Sequence, residues 1–335
     1  MIVLNETDWS ICQYENVTQL KLLTLQTMNC YVNPIVSILG FIANMMSIEI
    51  LRRSGLSKPS NILLLGLVVS DSMSQMTTMN FAIILETFGP NWEYPELCGW
   101  QYGDGLNYFL FVFNIIFKFL GFWGQYVNTA MPVLIVVERF FAVFKPLTFR
   151  KLITRRKAIT SVVFTYFMWL PWAITWMSMY RLHILLSKIM VMSNDVADIN
   201  DVTAFNIFYF YICDIMTSWF PMTFVLFGCI LTWVKVKMTL SQRKKLTSAN
   251  QRVQWSNKTT RTLLTTCVIF TTTRIICSLM NYLIRGDEVL IAYIKIEFVN
   301  LVFLINSSSN FFVYVFSNRK LFIIFKQIIH LDKKE

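Results

Sequence analysis

Long apolar stretches alternate with short polar and basic segments along this chain. Seven stretches contain the roughly 20 apolar residues that a helix needs to cross a bilayer core about 30 Å thick. They cover residues 28–51, 61–85, 107–137, 158–180, 206–234, 262–284 and 290–314. Because the backbone in lipid must satisfy its own hydrogen bonds, the pattern predicts an all-α membrane fold, a seven-helix transmembrane bundle.

The pattern changes on both sides of this bundle. Residues 1–21 are polar and acidic and contain no cleavable signal peptide, so we expect residues 1–27 to form an extracellular tail, followed by the seven-helix membrane domain at 28–314. Residues 315–335 predict a cytoplasmic tail that begins with a short amphipathic helix over 319–331, in which basic and apolar residues alternate. Such a helix lies on the inner leaflet with its basic face toward anionic headgroups.

Composition and charge agree with a membrane protein. Hydrophobic residues make up 55% and charged residues only 15% of the 335 residues, whereas a soluble domain carries about 25% charged residues. Of the 30 Lys and Arg residues, 23 lie in the tail and in the loops on one predicted side. The positive-inside rule therefore predicts that the N-terminus lies outside and the tail inside, which is the orientation we expect in the plasma membrane, and the net charge of +11 does not indicate nucleic-acid binding.

The predicted outer side is acidic and open to covalent modification. Thirteen acids face five bases there, and an acidic entrance attracts cationic ligands, although each acid alone also aids solubility. Asn5 and Asn16 begin Asn-x-Thr sequons and are predicted glycosylation sites. Cys98 can pair with Cys12 or with Cys30, or all three can stay reduced.

Five polar residues interrupt the predicted spans: Asn44, Asp71, Asn128, Asn306 and Asn310. Each is costly against lipid, so we expect them to face the inside of the bundle and to satisfy one another. A buried Asp among amides is a candidate cation or proton site. Hydrogen bonding between helices explains the same pattern equally well.

Charged residues in or beside a span are expensive to keep there and therefore point to function. Glu138 and Arg139 end the third apolar stretch, just before a basic segment. This pair indicates either a switch or an interfacial anchor. Arg274 lies near the middle of the sixth span, where we expect it to pair with Asp71 or Asp214.

These residues occur in motifs with a characteristic order and spacing. Residues 40–44 have the sequence Gly-Phe-Ile-Ala-Asn, residues 63–71 end in Ser-Asp, 138–140 are Glu-Arg-Phe, and 306–314 run from Asn to Tyr. Trp169 and Pro221 fall in the fourth and fifth spans. From about residue 35 to residue 325 the chain resembles rhodopsin-like (class A) G-protein-coupled receptors, and among them the invertebrate FMRFamide-receptor-like and molluscan orphan branch.

The resemblance implies a receptor, not an enzyme, that converts binding of an extracellular ligand into activation of a heterotrimeric G protein. It implies that Glu138 holds Arg139 in the resting state and that Tyr314 swings inward on activation. It also implies a sodium pocket lined by one carboxylate and several amides: Asp71, Asn128, Asn306 and Asn310. Sodium is the only cofactor expected.

Departures from the family pattern affect the expected movement. Residues 277–280 are Cys-Ser-Leu-Met, without the Trp and Pro of the sixth-helix motif, and Phe311 replaces the seventh-helix Pro. Without these prolines the helices lack their usual bending points. Asn114 replaces the third-helix Cys, so the usual outer disulfide is missing, and Gly121 replaces the Asp that binds monoamines.

Candidate ligand-pocket residues lie on the outer halves of the spans: Glu86, Lys118, Phe122, Gln125, Asp214, Asn281, Tyr282, Arg285, Glu297 and Asn300. Acids and aromatic residues favour a cationic or amidated neuropeptide, held by charge pairing and cation–π contacts. A chemosensory receptor for a small environmental molecule is the alternative within this class. A membrane transporter is the alternative from another class, against which the lack of internal repeats argues.

Overall fold

The computed structural model describes residues 2–4, 23–25, 27–79, 104–178, 180–185, 189–194, 212, 215–246, 253–283, 289–317 and 319–328. This part of the chain contains nine α-helices: α1 Asn33–Ser54, α2 Pro59–Gln75, α3 Asp104–Phe144, α4 Pro146–Leu152, α5 Arg155–Ser178, α6 Phe220–Leu246, α7 Val253–Leu283, α8 Val289–Ser317 and α9 Arg319–Ile328. Single π-helical turns precede α1 at Met28–Val32 and α6 at Ile215–Trp219.

The predicted all-α transmembrane bundle is confirmed, because each of the seven spans overlaps one long helix and α9 overlaps the predicted amphipathic helix. Five described segments are long and apolar enough to cross a membrane: Leu23–Ser54, Tyr108–Phe144, Arg155–Thr175, Ile215–Thr239 and Ile294–Phe316. Thr265–Met280 in α7 is a shorter apolar segment. Helix α2 has 17 residues, and beyond its first turn it is rich in Leu, Val and Ser.

Helix α3 lies at the centre of the bundle and packs against α2, α5, α6 and α7. Helix α1 packs against α2 and α8, and α9 lies across the ends of α1 and α8. A continuous apolar core joins these elements, and Leu67, Met131 and Tyr314 are among its most buried members. The apolar side chains of α9 extend this core, since Leu321 and Ile324 are buried within it.

Two glycines let α3 approach α2 and the turn that follows it. A Cβ atom on Gly124 would come 2.5 Å from the backbone nitrogen of Ser74, and one on Gly121 would come 2.8 Å from that of Thr77. Neither distance is compatible with van der Waals contact, so any larger residue would push the helices apart. The glycines therefore fix the spacing of the two helices that hold Asp71 and Asn128.

The structure differs from the predicted spans at the fourth helix. The predicted span ran to residue 180, but α5 ends at Ser178 and Tyr180 begins a strand. Three short strands form a sheet: β1 Ile2–Leu4, β2 Tyr180–Leu185 and β3 Ile189–Asn194. Strand β2 pairs antiparallel with β3 and parallel with β1. Apolar composition alone does not separate a strand from the end of a span, because β2 depends on hydrogen bonds to β1 and β3 that composition does not reveal.

Several of the expected modification sites lie outside the described residues. Asn5, Asn16, Cys12 and Cys98 belong to this group, so glycosylation and the disulfide alternatives stay predictions. Cys30 is buried in the π-helical turn before α1.

Two helices are continuous at the positions where the family pattern has prolines. Helix α7 continues through residues 277–280, and α8 continues through Phe311.

Candidate functional site

Three polar features follow one another along α3. A cavity lies beside Gln125, a buried hydrogen-bond network surrounds Asn128, and a charged cluster is centred on Glu138 and Arg139. The last lies at the basic end of the bundle, which is defined here as the end that carries Arg139 and the basic segment 145–157. Because these features share one helix, a displacement of α3 is felt at all of them.

The cavity has a volume of about 440 Å³ and lies among α2, α3, the π-helical turn before α6, α7 and α8. Its wall includes Gln125, Arg274, Asn300 and Phe303. Its deeper part reaches Ser74, Asn128, Asn306 and Ser307, which belong to the buried network. A volume of this size accommodates a drug-sized molecule or one end of a larger ligand.

Two of the ten candidate pocket residues, Gln125 and Asn300, line this cavity. Lys118, Phe122 and Glu297 do not belong to the described wall of the cavity. The remaining five candidates cannot be placed from the described side chains: Glu86, Asp214 and Arg285 lie outside the described residues, and Asn281 and Tyr282 belong to α7 with side chains outside the described set.

Glu297 is a structural residue between α1 and α8. Only 8% of its surface is exposed, and the Asn33 side-chain amide donates to its carboxylate at 2.6 Å and to its backbone carbonyl at 3.2 Å. A buried carboxylate needs such donors to compensate for lost hydration. Its acidic side chain is therefore engaged in holding two helices together.

The expected ion pair between Arg274 and Asp71 is wrong. The Arg274 guanidinium carbon lies 5.3 Å from the ring centroid of Phe270 and 4.7 Å from that of Phe303, so two aromatic rings face the cation. Both oxygens of Asp71 accept hydrogen bonds from amides instead. The other expected partner, Asp214, lies outside the described residues.

Asp71 is the centre of the buried network. The side-chain amide of Asn128 donates to its Oδ1 at 2.5 Å, and that of Asn310 donates to its Oδ2 at 2.8 Å. Asn128 also donates to Ser307 Oγ at 3.2 Å, and Ser307 lies 3.4 Å from Ser74 Oγ. Helices α2, α3 and α8 thus converge on one fully buried carboxylate.

The other two candidate amides are buried but bind different partners. Asn44 donates to Gln75 Oε1 at 3.4 Å, and Gln75 in turn donates to Ser308 at 3.3 Å. Asn306 accepts a hydrogen bond from Thr273 at 3.4 Å, which connects α8 to α7. Gln75 and the serines were not identified from the sequence, because Ser and Gln are common in helices and their partners lie far away along the chain.

The network combines one carboxylate with neutral polar groups. Within the described residues, no ion pair involves Asp71: the ion pairs there join Glu49 to Arg52 and Arg53, and Glu138 to Arg139. The hydroxyl oxygens of Ser74 and Ser307 belong to the same network, whereas Asn128 and Asn310 turn their amide N–H groups toward the carboxylate. A carboxylate with several neutral oxygens is a ligand set suited to a hard cation.

At the basic end, Glu138, Arg139 and Ser60 form a closed triangle. Arg139 Nε lies 2.7 Å from Glu138 Oε2. Arg139 Nη2 donates to Ser60 Oγ at 2.6 Å, and Ser60 Oγ donates to Glu138 Oε1 at 2.9 Å. Both charged side chains are largely buried, at 14% and 3% exposure. The triangle connects the start of α2 to the end of α3.

Tyr314 lies in the core between the buried network and the basic end. Its side chain is 2% exposed, and its hydroxyl has no hydrogen-bond partner among the described residues. Burying a hydroxyl without a partner costs about 1–3 kcal/mol. In this conformation the ring fills space in the core.

Comparison with known proteins gives the class that this geometry belongs to. The family described as 7 transmembrane receptor (rhodopsin family) matches residues 44–314. The match covers most of the chain, so the protein belongs to the rhodopsin family of seven-transmembrane receptors. It is a multi-pass membrane receptor that signals through a heterotrimeric G protein, and not an enzyme. None of the curated proteins matches the chain significantly.

Proposed function

We propose that the protein is a plasma-membrane receptor for an extracellular peptide, related to the FMRFamide-receptor-like branch. Its N-terminus is outside, because 23 of the 30 Lys and Arg residues fall on the opposite side. The observation that carries the proposal is the alignment of cavity, buried network and charged triangle along α3. The acidic outer segments attract the basic part of such a peptide.

The three features suggest how ligand binding reaches the basic end. Ser74, Asn128 and Ser307 belong both to the cavity wall and to the network around Asp71. A ligand that alters their hydrogen bonds therefore changes the packing of α2, α3 and α8 at once. The resting arrangement keeps Arg139 in the triangle, and the active arrangement releases it to the G protein, which is a two-state equilibrium biased by the ligand.

Sodium stabilises the resting arrangement in this proposal. The ion occupies the oxygen-rich surroundings of Asp71 and offsets its buried charge. Because it holds three helices in one arrangement, it opposes the rearrangement that releases Arg139. Ligand and sodium are then linked with opposite signs.

A small environmental molecule is the second candidate ligand. The cavity volume of about 440 Å³ favours it, since that space encloses a whole small molecule but only one end of a peptide. The two candidates differ in which residues determine affinity. A peptide also contacts the outer segments, whereas a small molecule depends on the cavity wall alone.

The coupling test compares the wild type with Arg139→Ala in cells that express a heterotrimeric G-protein dissociation sensor. A peptide library is applied to both, together with a library of small volatile and water-soluble compounds. We expect peptides to activate the wild type, and the variant to reach the surface without responding, because the cation that meets the G protein is missing. A variant that still signals would remove Arg139 from the mechanism.

The sodium test compares basal nucleotide exchange in sodium chloride and in potassium chloride at equal ionic strength. We expect sodium to lower basal exchange of the wild type and to have no effect on Asp71→Asn, which keeps the shape of the side chain but loses its charge. Arg156→Gln, which changes an exposed charge at the basic end, is the control and should keep the sodium effect. Equal sodium sensitivity of wild type and Asp71→Asn would contradict the proposal.

A further inference from the structure

Arg274 is the only charged residue in the described wall of the cavity. The remaining described wall consists of neutral polar and apolar residues, so no acid there neutralises it. A guanidinium removed from bulk water is costly unless it is paired. Its position is therefore unfavourable for the protein alone and favourable in the presence of a suitable ligand.

The surroundings of Arg274 indicate what kind of group it binds. Phe270 and Phe303 face the guanidinium and interact with its charge, but rings of this kind accept none of the in-plane N–H hydrogen bonds. Within the described residues, Arg274 takes part in none of the ion pairs. An arginine fork matches the geometry of a carboxylate, which accepts two parallel hydrogen bonds.

We propose that the cavity binds a carboxylate of the activating ligand and that Arg274 is its anchor. The inference rests on the proposed function in one respect, namely that the ligand enters this cavity. It replaces the amidated end expected from the sequence by a free acid. Gln125, Ser278 and Asn300, which also line the cavity, provide neutral hydrogen-bonding groups for the atoms next to the carboxylate.

Binding is tested on the purified full-length receptor by thermal unfolding. Three probes share one phenyl ring and one linker but differ in the end group: 3-phenylpropionate, 3-phenylpropionamide and 3-phenylpropylamine. We expect the carboxylate to bind about tenfold or more tightly than the amide, as a charge-assisted pair would give, and the amine to bind most weakly. Equal binding, the reverse order or no binding of the carboxylate would overturn the proposal.

Variants assign any such preference to Arg274. Arg274→Gln should bind the acid and the amide equally, whereas Arg274→Lys should keep part of the preference because it keeps the charge. Arg156→Gln removes an exposed cation outside the cavity and should bind like the wild type. A preference that survives in Arg274→Gln would show that the carboxylate binds elsewhere.

Two further probes distinguish the sources of the carboxylate. If N-acetyl-Leu-Phe binds at least tenfold more tightly than 3-phenylpropionate, the ligand is a peptide with a free C-terminus, and similar binding indicates a small carboxylic acid. N-acetyl-Leu-Phe-amide should bind weakly in both cases. Nucleotide exchange separates this inference from the proposed function: carboxylate-selective binding without exchange refutes signalling from this cavity, and exchange without carboxylate selectivity refutes the role of Arg274.

Discussion

At the residue scale, one hydroxyl holds together the two charges at the basic end. Ser60 contacts both Glu138 and Arg139. The sequence identified Glu138 and Arg139, because a charged pair beside an apolar span is rare and costly. It did not identify Ser60, because a serine after a proline is ordinary and its partners lie 78 and 79 residues away.

Ser60→Ala should weaken the resting state. The substitution removes two hydrogen bonds to charged groups, each worth about 1.5–3 kcal/mol, and leaves Arg139 held by Glu138 alone. We expect basal nucleotide exchange to rise several-fold at unchanged surface expression. Thr148→Ala is the matched control, since that exposed hydroxyl bonds only to the Lys145 carbonyl at 3.4 Å. Basal exchange that stays at the wild-type level would show that the triangle does not restrain Arg139.

Arg274 shows where pairwise inference fails at this scale. The sequence located the buried cation correctly, and an acid was the natural partner to expect. The rotation of α7 instead directs Arg274 between two phenylalanines, one on its own helix and one on α8. Helix rotation depends on packing of all neighbours, which residue spacing along a single chain does not specify.

At the element scale, the long apolar segments were predictable and their ends were not. An apolar window marks the thickness of the lipid, whereas a helix continues until its backbone hydrogen bonds stop, so α3 extends beyond the predicted span at both ends. Helix α4 was missed because its seven residues contain no long apolar run. Gly121 was noted in the sequence for the absence of an amine-binding Asp, and in the structure it contacts Thr77 in the turn after α2.

Gly124→Ala should loosen the contact between α2 and α3. The added methyl group would meet the backbone of Met73 and Ser74, which cannot move without shifting α2. Overpacking of this kind costs about 1–3 kcal/mol, so we expect a lower midpoint of thermal unfolding for the purified receptor. Gly105→Ala is the control, because nothing lies within 4 Å of its added methyl group. Equal midpoints for both variants would contradict the tight contact.

At the scale of the whole molecule, the bundle was predictable because lipid restricts the possible folds. The seven spans and the terminal amphipathic helix required only composition and spacing. The sheet that joins Ile2–Leu4 to Tyr180–Leu185 was not predictable, since it pairs residues about 180 positions apart, such as Ile2 and His183, and has no apolar periodicity of its own. The buried network was predictable in part: its polar residues were evident from the sequence, but their hydrogen-bond partners were not.

The predicted orientation is tested with epitope tags on intact cells. A tag placed before Met1 should bind antibody without permeabilisation, and a tag after Glu335 only with it, because the basic loops stay on the cytoplasmic side. Staining in the opposite order would reverse the whole topology.

Glycosylation of the N-terminal tail is tested by removal of glycans. This treatment should increase the electrophoretic mobility of the wild type more than that of a variant with Asn5→Gln and Asn16→Gln.

Helix α3 has 41 residues. At 1.5 Å per residue its axis is about 60 Å long, which is twice the hydrocarbon thickness of about 30 Å. The helix is therefore long enough to extend beyond the hydrocarbon layer. A water-soluble protein can bind its exposed turns directly and respond to a displacement of the whole helix without entering the lipid.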